Sequence, residues 1–118
     1  MTKAIHRMRS GQRMSKIVRY AGIVFLSGQT SSGDAVTDIE GQTREVLRRI
    51  DELLAEAGSD KSRLLSATIY LRDITDFAAM NTEWEAWLPK DSAPARATVE
   101  AKLASPNLLV EISSVAAA

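Results

Sequence analysis

From Pro94 to Val115 the chain keeps a period of two, which restricts this stretch to strands. Arg96, Thr98, Glu100 and Lys102 alternate with Ala97, Val99, Ala101 and Leu103; beyond A-S-P-N, Leu108, Val110 and Ile112 alternate with Leu109, Glu111 and Ser113. Successive side chains of a strand leave on opposite faces. The spacing therefore predicts two strands joined by a tight turn, with Arg96 and Glu111 on one face of a sheet and aliphatic residues packed behind. Two readings of that charge pair stand. It is either a cross-strand ion pair that only supports the sheet, or a small-anion site with a base beside it. In the second reading the Arg96 fork takes a carboxylate through two parallel hydrogen bonds. Thr98, facing the same way, adds an amide or hydroxyl donor, and Glu111 holds a water and takes its proton.

Upstream the period changes to that of a helix. Ile39, Thr43, Val46, Ile50, Leu53 and Ala57 form one continuous apolar face, which predicts a helix over 37–57. Thr37 and Glu40 have capping-box spacing at its start, and Gly58 is a suitable stop. Ile17–Tyr20 and Ile23–Ser27 read as a hairpin about Ala21-Gly22. In Leu64–Leu71, residues Leu65, Ala67, Ile69 and Leu71 are expected to face one way, with Ser66, Thr68 and Tyr70 facing the other. A second helix opens at Asp73–Asp76 and ends at Pro89, with Trp84 and Trp87 packing it on the sheet. Residues 1–16 read as a short basic edge strand plus irregular chain.

The order β-β-β-α-β-α-β-β describes one α+β domain, residues 1–118: a mixed β-sheet with two helices packed on one face. The opposite face is expected to carry Ser27, Ser66, Thr68, Tyr70, Arg96, Thr98, Glu100, Glu111 and Ser113 with some aliphatic residues. That is too polar for a dry core yet apolar enough for contact with further copies of the chain.

Composition narrows the chemistry. The 15 Lys and Arg balance 15 Asp and Glu, without the basic excess that neutralises phosphates, so no nucleic-acid partner is expected. With 0 Cys there are no disulfides, thiolate ligands or Cys nucleophiles. His6 is the 1 histidine, so neither a His-based metal site nor a Ser-His-Asp triad is expected. Asp73 and Asp76 at a helix start read as capping groups rather than metal ligands. Gly28–Asp34 lacks the Gly-Lys-Ser/Thr ending of a phosphate-binding loop. No apolar run reaches the ~20 residues of a membrane span. With no secretory pattern at the N-terminus, a cytoplasmic location is the expectation.

Three segments resemble the RidA/YjgF family of enamine and imine deaminases: Leu26-Ser27-Gly28-Gln29, Asp76–Trp84, and Pro94–Glu100 leading to Leu109–Ile112. The P-A-R-x-x-V-E element is the most specific of them, and the similarity runs from about Ser15 to Ala117. The resemblance implies a chorismate-mutase-like fold, a homotrimer whose sheets line a central barrel, and active sites in clefts between subunits. It implies that Arg96 clamps the substrate carboxylate, Thr98 contributes a backbone amide, and Glu111 positions the attacking water. Ser27 and Gly28 would line the cleft from a neighbouring subunit, with Asn81 as a further lining residue. One position departs. Where many members carry Gly-Pro-Tyr-Ser, this chain has Gln12-Arg13-Met14-Ser15, and Met14 cannot donate the tyrosine's hydrogen bond.

The implied activity is cofactor-free and metal-free hydrolysis of 2-imino acids to 2-oxo acids and ammonia. The alternative is a non-catalytic trimer that binds small carboxylates, or a regulatory one, using the same cleft. A ribonuclease or translation-inhibitor role, also attached to the family, is disfavoured by the neutral charge and single histidine.

Overall fold

A computed structural model describes residues 3–32 and 38–118. It contains β1 (His6–Ser10), β2 (Ser15–Tyr20), β3 (Ile23–Gln29), α1 (Ile39–Glu56), β4 (Leu64–Leu71), α2 (Phe77–Trp87), β5 (Ala95–Glu100) and β6 (Val110–Ala117). The six strands form one sheet in the order β1-β2-β3-β6-β4-β5. All neighbours are antiparallel except β4 and β5, which are parallel. The α+β class, the mixed sheet and the two helices on one face match the expectation.

The apolar stripe of α1 does what its spacing requires. Ile39, Thr43, Val46, Ile50, Leu53 and Ala57 are all buried, against Val24, Leu26, Ile69, Leu71, Val110 and Ile112 of the sheet. At roughly 1.5–3 kcal/mol per fully buried aliphatic side chain, this layer supplies the main drive for folding. The helix starts on Asp38, whose carboxylate accepts from the Gly41 amide at 2.7 Å. The capping box predicted from Thr37 lies outside the described residues. At the other end Gly58 takes φ 80°, the left-handed conformation that ends a helix. In front of α2, Asp73 accepts from the Thr75 amide at 2.9 Å and caps as expected, whereas Asp76 makes no side-chain cap hydrogen bond.

The structure corrects the sequence reading in three places. Strands β5 and β6 are not a hairpin, because β4 lies between them. The chain from β4 through α2 to β5 makes a strand–helix–strand crossover, and β6 then inserts between β3 and β4. Second, the parallel register sets Arg96, Thr98 and Glu100 level with Ala67, Ile69 and Leu71, all three of which are buried in the core. These β5 side chains therefore leave on the helix face, whereas Glu111 is paired with Tyr70 and leaves on the other. Third, a register shift between Leu64 and Ser66 turns Leu64 into the core and leaves Leu65 46% exposed, opposite to the predicted alternation.

The face away from the helices is uncovered. It carries Phe25, Tyr20, Leu65 and Val99, all exposed large hydrophobic side chains, among Thr68, Tyr70, Glu111 and Ser113. The mixed character predicted for this face holds, without Arg96, Thr98 and Glu100.

Candidate active site

The residues singled out from the sequence fall into two groups on opposite sides of the sheet. The first is built on Arg96. Its guanidinium lies 5.5 Å from the centre of the Trp84 ring and 5.7 Å from that of Phe77, within cation–π range. Nη1 donates to Oδ1 of Asn81 at 2.8 Å. Phe77, Asn81 and Trp84 are spaced four and three apart on α2, so one helix face supplies all three contacts. Burial pushes the Arg96 guanidinium below its ordinary pKa, with Glu85 pulling the other way. The group is thus partly stripped of water, and Nε and Nη2 carry no partner among the described residues. A carboxylate arriving there meets a pre-oriented fork. Thr98, two residues along the same face, has a buried Oγ1 without a partner. The structural ion pair between Arg96 and Glu111 is excluded, since the two stand on opposite faces with β4 between them.

The second group surrounds Glu111, at the start of β6. Its carboxylate lies over Gly28: a Cβ on that glycine would meet Glu111 Oε2, with Cδ at 3.0 Å. Gly28 follows Ser27 in a bulge, since β3 shifts register against β6 between Leu26 and Gln29. The bulge turns the Gln29 side chain inward, where Nε2 donates to Ser27 O and Oγ, both at 3.1 Å. Ser27 and Gly28 are thereby fixed beside the β6 start. Glu111, Gly28, Tyr70, Lys102 and Ser113, with Ala101, Leu103 and Ala104, line a cavity of about 320 Å³. Met14 is half-exposed on the β1–β2 connection and is not among the cavity's lining residues.

Two residues that the sequence reading passed over hold this second group in place. Arg72 donates from Nε to Leu108 O at 2.8 Å and from Nη2 to Ser105 O at 2.6 Å. Gln42, buried on α1, donates to Asn107 O at 2.9 Å and accepts from the Leu109 amide at 2.8 Å. Together they tie down the β5–β6 connection just before Glu111. A glutamine on the apolar face of a helix was the available signal, because a buried amide needs partners. Tyr70 and Lys102 also went unassigned as site residues, and only the β4–β6 register brings Tyr70 beside Glu111.

No group of three or more His, Asp or Glu among the described residues is arranged to hold a metal. No described helix is long and apolar enough to cross a membrane.

The six-stranded mixed sheet backed by two helices is an α+β fold shared with known proteins. The Endoribonuclease L-PSP family model matches residues 4–118. A RutC family protein of Haemophilus ducreyi is 42% identical over 113 residues, covering 96% of each chain. The RutC family protein YoaB of Escherichia coli is 42% identical over 96% of this chain and 97% of its own. A YjgF-family crystal structure from Neisseria meningitidis superposes with a TM-score of 0.92 at 44% identity, covering 97% of this chain and 94% of that one. A putative translation initiation inhibitor of Salmonella typhimurium gives 0.83 at 41% identity, covering 98% of each chain. The chain belongs to the RidA/YjgF, or endoribonuclease L-PSP, family. Enamine- and imine-deaminase chemistry is supported at the level of that family.

Proposed function

We propose that this protein is a homotrimeric, cofactor-free hydrolase of 2-imino acids, with each active site shared between two subunits. The observation that carries the proposal is the split of the site. The Arg96 fork keeps two nitrogens unpartnered among the described residues and Glu111 lines a cavity, yet the two face away from each other within one chain. Apposition of the β5 edge of one subunit with the Glu111 face of the next completes the cleft. The exposed Phe25, Tyr20, Leu65 and Val99 become the buried contact between copies.

In that cleft Arg96 takes the substrate carboxylate, held flat by Trp84, Phe77 and Asn81, and the Thr98 backbone amide adds a donor. The carbon of the protonated imine then faces a water on Glu111. As the water oxygen bonds to C2, one water proton passes to the Glu111 carboxylate and the C=N electron pair moves to nitrogen. Glu111 returns that proton to nitrogen. It next accepts the carbinol proton while the C–N bond breaks, giving a 2-oxo acid and ammonia; ammonia takes that proton from Glu111 and leaves as ammonium, which restores the carboxylate. The imine carbon is already electrophilic, so positioning and proton transfer supply the catalysis.

The test is turnover of freshly generated 2-iminopropanoate. Arg96→Ala is expected to abolish it while the oligomer survives; full activity in that variant overturns the mechanism. A competing reading, a trimer that binds small carboxylates without turnover, is favoured by Met14, which offers the cleft no hydrogen-bond donor. It predicts saturable 2-oxo acid binding and no imine hydrolysis by the unmodified protein.

A further inference from the structure

Several charged side chains outside the cleft are committed to partners within the chain. Arg9 is bound to Glu52 and Glu56, Arg48 to Glu45 and Glu52, and Arg44 to Glu83. Arg63 and Arg72 are spent on backbone carbonyls. Tyr70 is different. It is the last residue but one of β4, between Ile69 and Leu71, each 0% exposed. Two flanking strands fix its position, with Glu111 as its Cα partner on one side and Val99 on the other. The Tyr70 phenol has no hydrogen-bond partner among the described residues, and neither has the Glu111 carboxylate. Both line the same cavity of about 320 Å³.

Directly opposed residues of an antiparallel pair hold their Cβ atoms about 4.5–5.5 Å apart. A phenol reaches further from its Cβ than a carboxylate does. Its hydroxyl therefore extends past Glu111 toward whatever the carboxylate is working on. Among the cavity's lining side chains Tyr70 is the one rigid, neutral donor; Ser113 is short and Lys102 is a flexible cation.

We propose that Tyr70 is a further catalytic residue, donating a hydrogen bond to the substrate nitrogen in the deamination proposed above, on which this inference rests. As water adds to C2 of the protonated imine, the C=N pair becomes a lone pair on nitrogen, and the phenol O–H meets it there. The phenol keeps its proton throughout; the proton that nitrogen gains comes from Glu111. A donor aimed at a lone pair that exists only after attack stabilises the transition state more than the bound imine. Its loss falls on kcat rather than KM. Tyr70 and Glu111 leave one face of one chain, so each cleft takes both from the same subunit and Arg96 from its neighbour.

Tyr70→Phe removes the hydroxyl and keeps the ring. The expected result is a kcat for 2-iminopropanoate lowered by about 100- to 1,000-fold, with KM, melting temperature and oligomeric state unchanged. Mixed oligomers give a second readout. Subunits carrying Tyr70→Phe should regain kcat when mixed with Arg96→Ala subunits, which leave some clefts with both groups intact. They should not regain it when mixed with Glu111→Gln subunits, because no cleft then holds both Tyr70 and Glu111. Undiminished kcat in Tyr70→Phe, or equal rescue by both partners, overturns the assignment of Tyr70 alone. An inactive unmodified protein overturns the deaminase reading and this inference together.

Discussion

Gly28 lies directly beneath the carboxylate of Glu111, so closely that any side chain at position 28 would occupy the space of Glu111 Oε2. The contact is with the mobile end of a side chain rather than with backbone. Gly28→Ala is therefore expected to swing Glu111 aside at little cost to the fold. The expected outcome is at least a 10-fold loss of kcat/KM, about 1.4 kcal/mol in the transition state, with a melting temperature within a few degrees of the parent. Unchanged turnover would mean that Glu111 does its work from another position.

Asn81 has a single described task, accepting from Arg96 Nη1 at 2.8 Å. Asn81→Ala leaves the guanidinium on its two aromatic rings but free to rotate in its plane. Ordering a side chain on binding costs about 0.5–1.5 kcal/mol, which is roughly a 2- to 13-fold rise in the Kd for a 2-oxo acid. Calorimetric titration with pyruvate measures it. Binding as tight as the parent's would show that the aromatic contacts alone orient Arg96.

How much of this was legible in the sequence depends on the range of the interaction. The α1 stripe was, because residues three and four apart meet on one helix whatever the rest of the chain does. The P-A-R element and Glu111 stood out as candidates, since an arginine and a glutamate on predicted strands ask for partners. Their placement was not. Two alternating strands joined by a short turn look like a hairpin, but β4, α2 and β5 form a parallel crossover, and β6 fits beside β4 only on the side that β5 leaves free. That choice rests on pairing between residues about 40 positions apart, such as Tyr70 with Glu111. The parallel β4–β5 register, which sets Arg96 level with Ala67, sent Arg96 to the helix face. Leu65 was misread because a single bulged residue reverses the phase of an alternating strand.

Glu45 offers a prediction about pH. Hydrogen bonds from Arg48, then Arg49, hold its carboxyl at about 2, below its ordinary 4.5. Above pH 4.5 the carboxylate is ionised in both folded and unfolded chains, and the contribution of these pairs is fully present. As pH falls from about 4.5 toward 2, the unfolded chain takes up a proton that the folded one does not, and the contribution is lost. Glu45→Gln should therefore lower the urea midpoint at pH 7 and converge on the parent near pH 2. A gap that persists at pH 2 would assign the loss to packing instead.

Phe25 tests the assembly on which the shared cleft depends. It sits in the centre of β3, paired with Val18 and Val115, on the face away from the helices, and is 45% exposed. An aromatic side chain so placed gains little within one chain, because the core lies on the other side of the sheet. Phe25→Glu should leave the fold intact, since no core residue moves. In the proposed trimer it would set like charges against an apolar surface, and burying an unpaired carboxylate is costly enough to dissociate subunits. The expected result is a folded monomer by light scattering that has lost imine turnover although Arg96, Glu111 and Tyr70 are all unaltered. A monomeric variant with full activity would show that one chain suffices for catalysis and that the split of Arg96 from Glu111 across the sheet has another meaning.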